Sequence, residues 1–210
     1  FGWRPLFFCA ALPGVISLLL LRALPDPPSF TAARREVGAG PRGNAFARLW
    51  ADPATRRVFL LWTLTSIALQ FGYYGANTWL PSYLVKDLGV NLQQMGWYVA
   101  ATYGMMVVGK VLTGALADRV GRRVTWTIAG LLTALYLPLL AYLATPSNVP
   151  FLLLVFGFLC GAPYAVNSAY LSESFPAGIR GTAVATAYNI GRLGSTVSPL
   201  MIGYVATNYS

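Results

Sequence analysis

Histidine is absent from this 210-residue chain, and only six of its side chains are acidic. The first absence removes the side chain whose ordinary pKa permits proton exchange near neutrality and which most often ligates transition metals. The second leaves no carboxylate pair for general acid–base chemistry. Asp26, Glu36, Asp52, Asp87, Asp118 and Glu173 are scattered, and each falls in a polar stretch or at the edge of an apolar one. The two cysteines, Cys9 and Cys160, lie far apart in different apolar segments, so neither a disulfide framework nor a metal cluster is indicated. The rest of the chain holds no phosphate-binding loop and no nucleophile with its base. An enzyme is therefore not expected, and no metal or cofactor is implied.

What is abundant is oil. Hydrophobic residues make up 56% of the chain and charged ones 10%, outside the range of soluble domains. A helix needs roughly 20 predominantly apolar residues to cross a bilayer. Six stretches approach or meet that length: Pro5 to Leu21, Val58 to Val85, Met95 to Ala117, Val124 to Ala144, Phe151 to Leu171, and Gly181 to Val205. None alternates apolar and polar residues as the strands of a membrane barrel do. Pro13, Pro81, Pro138, Pro163, Pro199, Gly104 and Gly109 fall inside these stretches, where packed membrane helices tolerate them. The expected fold is an all-α membrane protein, a polytopic bundle of transmembrane helices. Its parts would be a first span over residues 1–22, a linker over 23–57 and a bundle over 58–210.

The net charge of +9 is placed beside the spans, which argues for lipid contact and against a nucleic-acid partner. Arg22, Arg34, Arg35, Arg42, Arg48, Arg56 and Arg57 make the linker cytoplasmic by the positive-inside rule. Arg119, Arg122, Arg123 and Arg180 fall on the same side, whereas the neighbourhood of Lys86 and the uncharged stretch 146–150 fall outside, as does the N-terminus. The linker is expected to be flexible from Ala23 to Gly43, where prolines and glycines cluster. In "NAFARLWADPATRR", Phe46, Leu49 and Trp50 share one helical face opposite Arg48, which suits either an interfacial helix or a plain tether. Thirteen arginines against two lysines, with plentiful alanine, point to a bacterial inner membrane.

Function in such a protein is sought among polar groups inside the spans. Arg192 stands in the last one and shares a face with Thr182, Thr186, Asn189 and Thr196. Its forked guanidinium matches a substrate carboxylate; a structural ion pair is the other reading. In the second span Ser66, Gln70, Tyr73, Tyr74 and Asn77 recur at helical spacing, either lining a polar passage or bonding between helices. Tyr164, Asn167 and Ser168 form a smaller cluster of the same kind. Lys110 is expected to snorkel toward the cytoplasm.

The segment "GALADRVGRR" joins the third and fourth spans, and its Gly114, Asp118, Arg119, Gly121, Arg122 and Arg123 resemble the loop signature of the major facilitator superfamily. "FGWRPLFF" resembles the entry to that family's sixth helix, and "SESFPAGIRGTAVA" its loop between helices ten and eleven. "IRGTAVATAYNIGRLG" is similar to the organic-acid and sialate type of proton symporter. The resemblance implies a chain running from helix six to helix eleven, partnered by an N-terminal half of the same transporter. It further implies that Asp118 faces a helix N-terminus of that other half, and that Glu173 pairs with Arg119, Arg122 or Arg123 in a gate including Arg180. The glycines of the signature would permit a tight turn and a close helix approach. The function implied is alternating-access transport of a small organic anion, proton-coupled through a group elsewhere, since no span of this chain embeds a carboxylate. A sugar or polyol carrier of the same family is the alternative, and a membrane receptor or scaffold the alternative of another class.

Overall fold

The computed structural model of the protein describes residues 4–23 and 44–209. Among these residues every element is an α-helix: α1 (Arg4–Ala23), α2 (Ala45–Ala51), α3 (Pro53–Lys86), α4 (Leu92–Val120), α5 (Arg122–Leu143), α6 (Val149–Glu173), α7 (Ala177–Gly191) and α8 (Leu193–Tyr209). The chain divides into two compact units, residues 1–43 and 44–210. The first contributes α1, which continues through Pro13; Ser17 Oγ donates to the Pro13 carbonyl at 2.8 Å. From residue 24 to 43 the stretch expected to be flexible lies outside the described residues.

In the second unit α4, α5 and α6 are long and apolar enough to cross a membrane, by length and composition. The helix α3 has 34 residues and is about 51 Å long, but its polar stripe dilutes its apolar character. It begins at Pro53, ahead of the expected start at Val58, because Asp52 caps it. The Asp52 carboxylate accepts from Thr55 N at 2.8 Å and Thr55 Oγ1 at 2.6 Å, and Pro53 sits at the first helical turn, where its missing N–H costs nothing. Those hydrogen bonds hold the carboxyl below its ordinary pKa.

In the linker helix α2 the three residues of the expected face, Phe46, Leu49 and Trp50, divide between protein and surface. Leu49 is fully buried, packed with Phe59, Trp62, Phe175 and Ile179 of neighbouring segments. Phe46 and Trp50 remain exposed, with Trp50 edge-on to Phe59 at 6.0 Å. Desolvating a leucine side chain is worth about 1.5–3 kcal/mol, enough to fix this short helix against the bundle. A second apolar core gathers Leu80, Leu84, Met106, Leu140, Leu153 and Phe156 from α3 to α6.

Close backbone packing joins α4 and α6. The motif Gly157–x–x–x–Gly161 lies along α6, and a Cβ added at Gly157 would run into the Thr102 carbonyl, one at Gly161 into Met106, and one at Gly109 into the Phe158 carbonyl. Small residues at such spacing let membrane helices approach to backbone contact, where dispersion and weak polar contacts replace a hydrophobic driving force that lipid cannot supply. Thr102, Met106, Gly109, Thr113 and Ala117 form the buried seam of α4.

The last expected span, Gly181 to Val205, is two helices that meet at Arg192. Arg192 N donates to both the Tyr188 and Asn189 carbonyls at 3.2 Å, and the Arg192 carbonyl accepts from Ser195 N at 3.0 Å and Ser195 Oγ at 2.6 Å. The break follows from packing on α3: Gly191 abuts Ser66, and Gly194 lies so close to the Ile67 carbonyl that no Cβ would fit. The turn between α4 and α5 is equally economical. It consists of Gly121 alone, at φ +105°, a conformation that L side chains rarely adopt.

Candidate functional site

The polar stripe of α3 meets α6 in the interior. The Tyr164 hydroxyl donates to Gln70 Oε1 at 3.1 Å, and its ring packs edge-on to Tyr73 at 4.8 Å. Tyr73 in turn packs edge-on to Tyr74 at 5.3 Å and donates to Met106 Sδ of α4 at 3.6 Å. Asn77 Nδ2 donates to the Tyr73 carbonyl at 2.8 Å and approaches Cys160 Sγ at 3.9 Å. Five of the sequence-predicted residues, Gln70, Tyr73, Tyr74, Asn77 and Tyr164, are thus brought into one cluster. Asn167 shares the α6 face of Cys160 and Tyr164 by its spacing; it is 2% exposed and its Oδ1 has no hydrogen-bond partner. A buried, unpaired amide oxygen costs about 1–3 kcal/mol unless something supplies a donor.

Arg192 and Asn189 stand apart from that network. Both are exposed; Asn189 Nδ2 donates to the Ala185 carbonyl at 2.8 Å, and the Arg192 guanidinium makes no ion pair among the described residues. Arg192 is nevertheless one turn beyond Tyr188, which lies within electrostatic range of both Tyr73 and Tyr164.

The loop between α4 and α5 forms a charge chain centred on Arg122. Its Nε meets Glu173 Oε2 at 2.7 Å and its Nη2 meets Asp118 Oδ1 at 3.4 Å. Of the three arginines expected as partners for Glu173, the pairing is with Arg122; Arg119 and Arg123 have no ion pair among the described residues. These groups are 32%, 52% and 67% exposed for Arg122, Glu173 and Asp118, so each pair contributes only about 0–1 kcal/mol and serves chiefly to fix geometry. Arg180 Nε donates to the Phe175 carbonyl at 3.2 Å and ties down the turn between α6 and α7. Gly121 makes the expected tight turn. At Gly114 a Cβ would meet nothing within 4 Å among the described residues, so none of the described helices comes close there.

Cavities surround the cluster without coinciding with it. One of about 390 Å³ lies between α3, α5 and α6, with Tyr73, Cys160 and Tyr164 on one wall and Trp126, Leu131 and Ala134 on the other. It contains no charged side chain and is unsuited to an anion. Another, of about 500 Å³, places Arg123 beside Trp62, Trp126 and Tyr170. A third, of about 830 Å³, lies between the C-terminal end of α3 and α8 and includes none of the sequence-predicted site residues.

Residues 1–210 match the family model of the Major Facilitator Superfamily along their whole length. The chain belongs to that superfamily. Among its curated relatives within the superfamily is a cis,cis-muconate transport protein of Acinetobacter baylyi, 42% identical over 212 residues that cover 100% of this chain and 51% of the relative. A probable 4-methylmuconolactone transporter of Cupriavidus pinatubonensis is 30% identical over 215 residues, 99% of this chain and 47% of the relative. A gentisate transporter of Corynebacterium glutamicum is 27% identical over 205 residues, 96% of this chain and 45% of the relative. The chain spans about half the length of the curated relatives it matches. Major facilitator proteins are transporters of the membrane rather than enzymes, in keeping with the long apolar helices α4, α5 and α6.

Within this superfamily frame, three members of the cluster escape sequence reasoning. Tyr103 of α4 and Tyr188 of α7 both lie within electrostatic range of Tyr73, and Cys160 contacts Asn77. Tyr188 lies to one side of the α7 face of Thr182, Thr186 and Asn189, and Cys160 continues the face of Tyr164 and Asn167 as a thiol that hydropathy does not mark as polar. Tyr103 has a periodic signal: it is seven residues before Lys110, on the same helical face.

Proposed function

We propose that the protein carries a small organic anion across the bacterial inner membrane by alternating access, as a carboxylate metabolite transporter that moves protons with its substrate. The observation that carries this reading is the 42% identity, over the full chain, to a cis,cis-muconate transport protein. A gentisate transporter and a probable methylmuconolactone transporter among the relatives agree on small acids or lactones of similar size. In this reading Gln70, Tyr73, Tyr74, Asn77, Tyr164 and Asn167 line the substrate passage together with Asn189, hydroxyl and amide groups orient the ligand, and Arg192 holds a carboxylate. The chain would work against a second half of the same transporter, the two bundles rocking about a midplane site. Gly114, Asp118, Arg119, Gly121, Arg122, Arg123, Glu173 and Arg180 would gate its cytoplasmic side. Among the described residues, Asp52, Asp87, Asp118 and Glu173 all sit at helix ends, so the proton carrier is assigned to a group outside these helices.

The test is counterflow of labelled cis,cis-muconate by the full-length protein in proteoliposomes, with hexoses, gentisate and niacin as competitors. Saturable flux inhibited by acids and indifferent to hexoses is expected. Arg192→Ala is expected to raise KM by roughly 10–150-fold, the equivalent of a lost charge-assisted hydrogen bond. Inhibition by hexoses with none by acids would overturn the assignment, and wild-type uptake by both Arg192→Ala and Arg192→Lys would remove Arg192 from the site.

A further inference from the structure

Lys110 lies deep in α4, ten residues before its end at Val120 and so about 15 Å along the axis. It lies inside the apolar run from Met95 to Ala117. The side chain is exposed and makes no hydrogen bond or ion pair among the described residues.

Its direction follows from the packing of α4. The seam of Thr102, Met106, Gly109, Thr113 and Ala117 faces α6. On one flank of the seam, Leu112 and Leu116 wall an apolar cavity shared with α5. Lys110 and Tyr103 occupy the other flank, seven residues apart. Tyr103 lies within electrostatic range of Tyr73, and Lys110 within range of Cys160, whose sulfur contacts Asn77. Lys110 is also one turn beyond Met106, which accepts the Tyr73 hydroxyl. Two cations thus stand one helical turn from groups at the cluster: Lys110 from Met106, and Arg192 from Tyr188.

We propose that Lys110 is a second cationic anchor of the binding site, and that it makes the site select dicarboxylates over monocarboxylates. This rests on the organic-anion reading given above. A guanidinium alone holds one carboxylate; an ammonium across the cluster gives the distal carboxylate of a diacid a partner and gives a monoacid nothing.

The experiment measures binding of cis,cis-muconate and of its monomethyl ester to the purified full-length protein by titration calorimetry. Wild type is expected to bind the diacid about tenfold or more tightly than the monoester, the effect of one added charge-assisted contact. Lys110→Gln and Lys110→Met are expected to abolish that preference while leaving monoester affinity within about twofold, and Lys110→Arg to restore it in part. Retained monoester binding shows that the variants are folded. An undiminished preference in Lys110→Gln, or equal loss of both ligands in a variant with an unchanged melting temperature, overturns the assignment of Lys110. Failure of wild type to bind either acid overturns instead the organic-anion reading.

Discussion

Adding one methyl group at Gly157 tests whether backbone contact between α4 and α6 holds the bundle together. Gly157→Ala directs a Cβ into the Thr102 carbonyl, a backbone atom that no rotamer change can move aside. Overpacking of this kind costs about 1–3 kcal/mol. Alanine returns about 0.8–1.0 kcal/mol of helix propensity, so the net loss is about 0–2 kcal/mol. Gly104→Ala on the facing helix isolates the second effect, since a Cβ there meets nothing within 4 Å among the described residues. The difference between the two variants is then the overpacking cost itself. At about 2–4 °C per kcal/mol for about 150–250 residues, and less for a longer chain, Gly157→Ala should melt below Gly104→Ala by up to about 12 °C. Thermal unfolding of the purified full-length protein in detergent reads this directly. Equal melting temperatures, or a more stable Gly157→Ala, would show that the two helices have room between them and that the glycine motif is incidental.

Two further perturbations probe the site and the start of α3. Tyr164→Phe removes the donor to Gln70 Oε1; with interhelical hydrogen bonds in membranes averaging about 0.6 and reaching about 1.7 kcal/mol, a small loss of stability is expected in the same unfolding assay. No loss at all would mean that Gln70 finds another donor. The Asp52 carboxyl is held below its ordinary pKa by Thr55, so the stabilisation is present above the unfolded-state value of 3.8 and is lost as pH falls through the lower folded value. Protection of the Thr55 amide, its exchange rate measured against the intrinsic rate at the same pH, should therefore fall on acidification below about pH 4, whereas in Asp52→Asn it should stay level over that range.

The boundaries of α4, α5 and α6 are legible in the sequence because a long apolar run between charged ends has few alternatives in a membrane. The start of α3 is marked by Asp52 and Pro53, a cap signal independent of hydropathy; oil alone puts it at Val58. The division at Arg192 cannot be read from the chain, because Gly191 and Gly194 acquire their role only when α3 lies against them. Leu49 misleads for a similar reason: a helical face is apolar toward lipid and toward protein alike, and only the presence of Phe59 and Ile179 decides between them. In the site, Gln70, Tyr73 and Asn77 are visible as a periodic stripe. Tyr188 lies beside the polar face of its helix rather than on it and Cys160 reads as apolar, so their value comes from neighbours on other helices.

The lone Gly121 between α4 and α5 also bears on how the bundle can move. Two residues of chain stretch to at most about 7 Å, so Val120 and Arg122 are leashed together at the helix tips. Sliding one helix along the other, or drawing their adjoining tips apart, would require unwinding an end. The pair is left to swing as a wishbone about that joint, and Arg122 rides on it, so any tilt of the wishbone pulls directly on the guanidinium's grip on Glu173 of α6.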